Sequence, residues 1–124
     1  QEVCLVTDCG TPSFFDPGFQ LLNACREQKI PINVLPGVSS LTALMPYLPF
    51  KTEFFNVAGF PPREEHERQI FFRELSKAST PFFVMDTPYR LQKTMSDLKE
   101  LLPKSYLVLG LNKKENFVCM VYKS

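Results

Sequence analysis

Six apolar runs of four to seven residues punctuate this chain, with stretches of helical period between them. Runs that short, bounded by turn residues, suit strands buried in a sheet and are too brief for buried helices. The first, VCLVT (3–7), leads through TDCGTPSFFDPG (7–18) into FQLLNACREQ. Asp16 followed by Pro17 predicts a helix cap and first helical position. Leu21, Leu22 and Cys25 then give the helix an apolar face. Ile32 to Leu35 reads as the next strand, broken by Pro36-Gly37. Ser39 or Ser40 caps a further helix carrying Leu41, Leu44, Met45 and Leu48, limited by Pro46 and Pro49. Strand, helix, strand, helix at these intervals predicts parallel strands with right-handed crossovers.

After Phe50 the texture changes. FFNVAGF (54–60) predicts a strand closed by Pro61-Pro62, and Arg63 to Ala78 an amphipathic helix with Phe71, Leu75 and Ala78 inward. PFFVMD (81–86) predicts a strand. Thr87 and Pro88 open a helix with Leu91, Met95, Leu98 and Leu102 on one side. YLVLGL (106–111) and FVCMVY (117–122) predict a hairpin around the polar turn Lys113 to Asn116. The whole reads as α/β in two parts, 1–50 and 51–124, with the boundary near 49–53 and no internal repeat.

Composition narrows the function classes. With 44% hydrophobic residues, 124 residues bury a real core. Fourteen basic against 13 acidic residues make no overall field of the kind that draws a chain to nucleic acid. No apolar run approaches the roughly 20 residues of a membrane helix. A soluble cytoplasmic protein without membrane contact is expected. Four cysteines without a CxxC pair, and one distant histidine, exclude a structural zinc site; reduced, mostly buried thiols are expected. A chain opening Gln1-Glu2 and ending VCMVYKS, both at strand edges, reads as a piece of a larger protein.

In open α/β sheets ligands bind beyond the carboxyl ends of strands. Three places qualify: Asp8 to Phe14, Pro36 to Ser40, and Met85 to Arg90. Gly10 lets backbone approach a ligand, Thr11 adds a hydroxyl, and Ser39-Ser40 offer hydroxyls and free N–H groups at a helix start. Each loop is otherwise a plain turn. Asp8 either accepts ligand hydroxyls or caps the loop, and Asp16 is structural. His66, between Glu65 and Glu67, reads as a solvated surface residue, so no Ser/His/Asp arrangement exists. Neither GxGxxG nor a P-loop is present. Phe54, Phe55, Phe82 and Phe83 read as core. Arg63, Arg68 and Arg73 read as a solvated helix face paired with Glu64, Glu65 and Glu67.

Taken together, VTDCGTPSFFDPG and ACREQKIPINVLPGVSS resemble the tetrapyrrole methylase superfamily of S-adenosylmethionine-dependent methyltransferases. The likeness is closest to the branch that methylates a ribose 2′-hydroxyl in small-subunit ribosomal RNA, whose loop reads S-D-A-G-T-P-x-x-x-D-P-G, or to a shorter paralogue of it. GFPP (59–62) and MDTPYRLQKTMSDL (85–98) are similar to its later motifs, G-F-x-P and E-S-x-H-R-L. Tyr89 stands where that branch usually has His, Asp86 where it has Glu, and GLNKKEN replaces an A-R-E-L-T-K run.

The resemblance implies two α/β lobes with S-adenosylmethionine folded into the cleft between them. Carried over by position, it places Asp8, Cys9, Gly10, Thr11, Phe14, Ser39 and Ser40 beside the cofactor from one lobe, and Met85 and Leu111 from the other. It implies methyl transfer without a metal, ribosomal RNA or the small subunit as partner, and a homodimer. No residue is singled out as the base. Two other readings stay open: methylation of a tetrapyrrole or another small molecule, and a non-catalytic module that keeps the cofactor pocket.

Overall fold

A four-stranded sheet, covered by helices of the same half of the chain, organises the core of the second half. The computed structural model describes residues 3–8, 10–111 and 117–123. Helices are α1 (Phe19–Glu27), α2 (Ser40–Leu44), α3 (Glu65–Leu75) and α4 (Leu91–Leu101); strands are β1 (Asn56–Gly59), β2 (Phe82–Asp86), β3 (Ser105–Gly110) and β4 (Phe117–Lys123). Two compact units divide the chain, Gln1–Ala43 and Leu44–Ser124.

In the second unit the strand order is β1-β2-β4-β3. β1 runs parallel to β2, as the intervening helix α3 requires. β4 is antiparallel to β2 and to β3, so the predicted pairing of the last two strands is present, with Gly110 opposite Val118. Alternation sorts the side chains. Phe82, Val84, Cys119 and Val121 form the face packed against Phe72 of α3 and Leu98 and Leu102 of the α4 segment. The other face carries Phe83 and Met120, both fully buried. Phe55 meets Phe83 edge-on at 5.3 Å, and Phe50 lies 4.3 Å from Tyr122. Burial of both faces explains why β2 reads as an unbroken apolar run rather than an alternating one.

Several expectations need correction here. β1 is shorter than 54–60: Phe54 and Phe55 precede it and are exposed, and only Phe82 and Phe83 are core. The helix expected over 63–78 is α3, started by the Glu64 carboxylate, which accepts from the N–H groups of His66 (3.0 Å) and Glu67 (2.7 Å). These bonds hold the Glu64 carboxyl below its ordinary value, the His66 N–H foremost. His66 is exposed, as expected.

The first unit departs further. Neither 3–7 nor 32–35 is a strand, and no described residue of this unit belongs to a sheet. A strand exists only by pairing with another strand, and no described strand pairs with either segment. Most of their side chains are exposed, Val6 at 79% and Leu35 at 86%, while Leu5 and Thr7 are half-buried. Asp16 does not cap α1; its carboxylate accepts the Thr7 hydroxyl at 3.0 Å, and the helix starts at Phe19 after Gly18, whose φ of 136° only glycine adopts with ease. No residue of α1 is buried. Cys4 is exposed, Cys25 half-buried and Cys119 buried, all three as free thiols.

Candidate functional site

Two of the three predicted loops meet inside the first unit. The Gly37 N–H donates to the Thr11 hydroxyl at 3.0 Å. At Gly37 any side chain would run into the Gly10 backbone, whose Cα lies 2.8 Å from where a Cβ would stand. Gly10 itself takes φ +78°. The turn residues therefore do more than reverse direction: they let two loops lie backbone on backbone. Ser13, at φ 68°, has a buried Oγ with no hydrogen-bond partner among the described residues. Phe14 is about half exposed and packs edge-on against Phe15 at 4.8 Å. Asp8 is exposed, and Cys9 lies outside the described residues.

Ser39 and Ser40 sit at the start of α2, where the Ser39 carbonyl accepts from the Ala43 N–H and the Thr42 hydroxyl, each at 3.0 Å. With five residues, α2 is too short to add a helix dipole of consequence. Loops 7–14 and 36–40 contain no Lys or Arg. The polar groups these loops offer are therefore backbone amides, hydroxyls and the exposed Asp8 carboxylate, with no cationic side chain among them.

The second unit supplies a different surface. Because β1, β2 and β3 all run the same way, their carboxyl ends share one edge of the sheet. Phe60, Tyr89 and Leu111 emerge there, Tyr89 at 97% exposure. Met85 is buried within β2 rather than ending it, since the strand runs on to Asp86. A cavity of about 370 Å³ lies elsewhere, lined by Met95, Leu98, Leu102, Tyr106, Leu107 and Val121, and no predicted site residue borders it.

Behind that edge lies a buried polar cluster. Arg68 is not solvated; its side chain is 2% exposed. Its Nε donates to Asp97 Oδ2 and its Nη2 to the Thr94 hydroxyl, both at 2.6 Å, while Nη1 donates to the Pro62 carbonyl at 3.3 Å. The Thr94 hydroxyl in turn donates a hydrogen bond to Asp86 Oδ2 at 2.7 Å, and Arg68 Nη1 stands 3.6 Å from that oxygen. The other Asp86 oxygen accepts the Thr87 N–H at 2.8 Å and lies 3.4 Å from Arg90. Arg90 Nη2 donates to the carbonyls of Pro61 (3.1 Å) and Pro62 (2.6 Å). Lys93 bridges Asp97 and Glu65, which raises its pKa, Asp97 contributing most.

Comparison with known proteins decides the family. Residues 1–109 match the profile described as Tetrapyrrole (Corrin/Porphyrin) Methylases. The chain belongs to the tetrapyrrole methylase family. It is similar to the ribosomal RNA small subunit methyltransferase I of Hydrogenobaculum sp. (strain Y04AAS1), 36% identical over 104 residues, 83% of this chain and 44% of that protein. It is also similar to the proteins of the same name from Synechocystis sp. (strain ATCC 27184 / PCC 6803 / Kazusa), at 32% over 82% of this chain and 37% of the relative, and Thermotoga maritima, at 30% over 82% and 46%. The chain thus spans less than half the length of these relatives.

This methylase-family chain hid its polar cluster from a reading by charge alone. Arg63, Arg68 and Arg73 look alike on a list, yet Arg68 stands one turn before Phe72 and two before Leu75, on the apolar face of α3. Asp86 likewise shares the parity of Phe82 and Val84. Periodicity carried the signal, and the charges drew attention away from it.

Proposed function

We propose that the two units supply the two halves of an S-adenosylmethionine site in a methyltransferase, and that ribosomal RNA is the methyl acceptor. In this reading residues 1–50 belong to one α/β lobe and 51–124 to a second, with the cofactor in the cleft between them. The observation that carries it is the Gly10–Gly37 contact held by Thr11: in a chain of this family, the loop motif has folded into a bare backbone ledge. Family membership supports the cofactor, and the relatives' names support the acceptor.

S-adenosylmethionine, when bound, supplies an electrophilic methyl group on a sulfonium. Backbone at Gly10, Thr11, Ser39 and Ser40 would hold its polar parts, with Ser13 Oγ offering an unused hydroxyl. Asp8 would accept from ribose hydroxyls. Met85 and Leu111 would bound it from the second half. These side chains orient rather than react, so the contribution to rate is placement of donor and acceptor. Arg68 and Arg90 do not form the basic surface that an RNA acceptor would meet, because both guanidinium groups are engaged within the protein, whereas Arg63 and Arg73 are exposed.

The test is a thermal-shift titration with S-adenosylmethionine and S-adenosylhomocysteine, with NAD and ATP as controls, on this chain and on any longer natural chain containing it. At about 100 times its dissociation constant a ligand stabilises by roughly 2.7 kcal/mol. A shift with the two adenosyl compounds alone supports the reading. No shift with either, in both chains, removes it.

A further inference from the structure

We propose that Arg68 is a positioning residue of the methyl-donor site: through Asp86 and the Pro62 carbonyl it fixes the Gly59–Pro62 turn and the Met85–Thr87 strand end in one arrangement. The inference rests on the cofactor reading above. Arg68 is too buried to meet cofactor or RNA itself, so any effect it has on binding must pass through what it holds.

The turn between β1 and α3 explains the need. Pro61 and Pro62 have no N–H groups, so this stretch cannot tie itself down with its own amides. Its carbonyls are gripped instead by two guanidinium groups, Arg68 on Pro62 and Arg90 on Pro61 and Pro62. Both guanidinium groups also face Asp86, one at each carboxylate oxygen, and Asp86 in turn accepts the Thr87 N–H. The turn after β1 and the end of β2 are therefore referred to a single carboxylate. Thr94 closes the arrangement, accepting from Arg68 and donating to Asp86.

Only a planar fork with five donors addresses Asp97, Thr94, Pro62 and Asp86 together; a lysine brings one compact charge. Stability alone gives little reason for such a cluster beside Phe72 and Leu98, because well-packed apolar residues commonly do as well as buried ion pairs. Its place does give one. The cluster sits at the end of β2, on Asp86 between Met85 and Thr87, and it pins that strand end to the turn after β1.

The experiment measures S-adenosylhomocysteine binding by calorimetry, well below each variant's melting temperature. Arg68→Lys is compared with Thr94→Val, Thr94→Ser and a core control, Leu102→Ala, which is buried but outside the cluster. We expect Arg68→Lys to weaken binding at least tenfold and Thr94→Val several-fold. Thr94→Ser, which keeps the hydroxyl, stays near the unsubstituted chain. Leu102→Ala melts earlier yet binds within twofold. If Arg68→Lys does not fold, the Thr94 pair decides by the same criterion. The proposal is overturned if Arg68→Lys and Thr94→Val bind as tightly as Leu102→Ala. Absence of adenosyl binding by the unsubstituted chain would instead remove the cofactor reading, and this role with it.

Discussion

The two units of this chain obey the same sequence pattern and end in different states. In Leu44–Ser124 every apolar run found a neighbour: four strands pair, two helices cover one face, and Phe72, Phe83, Cys119 and Met120 have no exposure. In Gln1–Ala43 the runs at 3–7 and 32–35 have no described strand beside them, and α1 buries no residue fully, leaving Leu22, Ala24 and Cys25 only half-buried. The first unit does have loop set against loop at Gly10 and Gly37. The contrast teaches that an apolar run specifies a capacity to pair, whereas glycine and hydroxyl placement specifies a turn locally. The first needs the rest of a sheet; the second does not.

The sharpest way to break the comparison is to cut into both cores. Phe72→Ala should cost about 3–5 kcal/mol of unfolding free energy, because that ring lies wholly inside the helix-covered face. Leu22→Ala in α1 should cost under about 1 kcal/mol, as substitutions away from buried contacts do. Urea unfolding of the two variants reads the difference. Equal losses would mean that α1 is packed after all.

Gly37→Ala comes next in size. Its methyl group has no room beside the Gly10 backbone, so the ledge must open. Adenosyl affinity should fall at least tenfold, about 1.4 kcal/mol, while amide exchange in β2 and β4 stays unchanged. Spread of the effect into those strands would show that the units unfold together.

The thiols sharpen the contrast without mutation. Cys4 is exposed and should react with a disulfide reagent in the native chain. Burial pushes the Cys119 thiol from its ordinary 9.0 up to about 12, so it should react only on unfolding. Between those two values the unfolded chain has released a proton that the folded chain retains. Stability is therefore undiminished by this group below pH 9 and declines as pH rises toward 12. A flat alkaline profile would contradict the burial of β4.

Glu64 should give the smallest effect, and at the opposite end of the scale. Its carboxyl is held below the ordinary 4.5 by the amides it caps, so its contribution is present above that value and fades as pH falls further. Glu64→Gln should flatten the acid limb of a melting-temperature profile slightly.

Most of the second unit was legible because its elements are periodic and self-sufficient. β2, α4 and the β3–β4 pairing follow from runs and spacings that the fold then satisfies within 81 residues of chain. Arg68 was legible in principle, since it stands in register with Phe72, but charge was weighed above phase. The first unit's strands were not settled by the residues, because pairing depends on a neighbour that no local pattern names. Its loops were. Gly10, Thr11 and Gly37 draw the two glycine-containing loops together, with Thr11 spending its hydroxyl on the Gly37 N–H and Asp16 serving Thr7 instead of a helix end.

One measurement addresses the central claim that two separate half-sites share one adenosyl ligand. Backbone amide NMR shifts should be followed while S-adenosylhomocysteine is titrated into the labelled chain. The account predicts saturable shifts at Gly10, Thr11, Ser39 and Ser40 together with Met85, Thr87 and Leu111, all fitting one dissociation constant. Shifts confined to one unit, or saturating at two different concentrations, would contradict it.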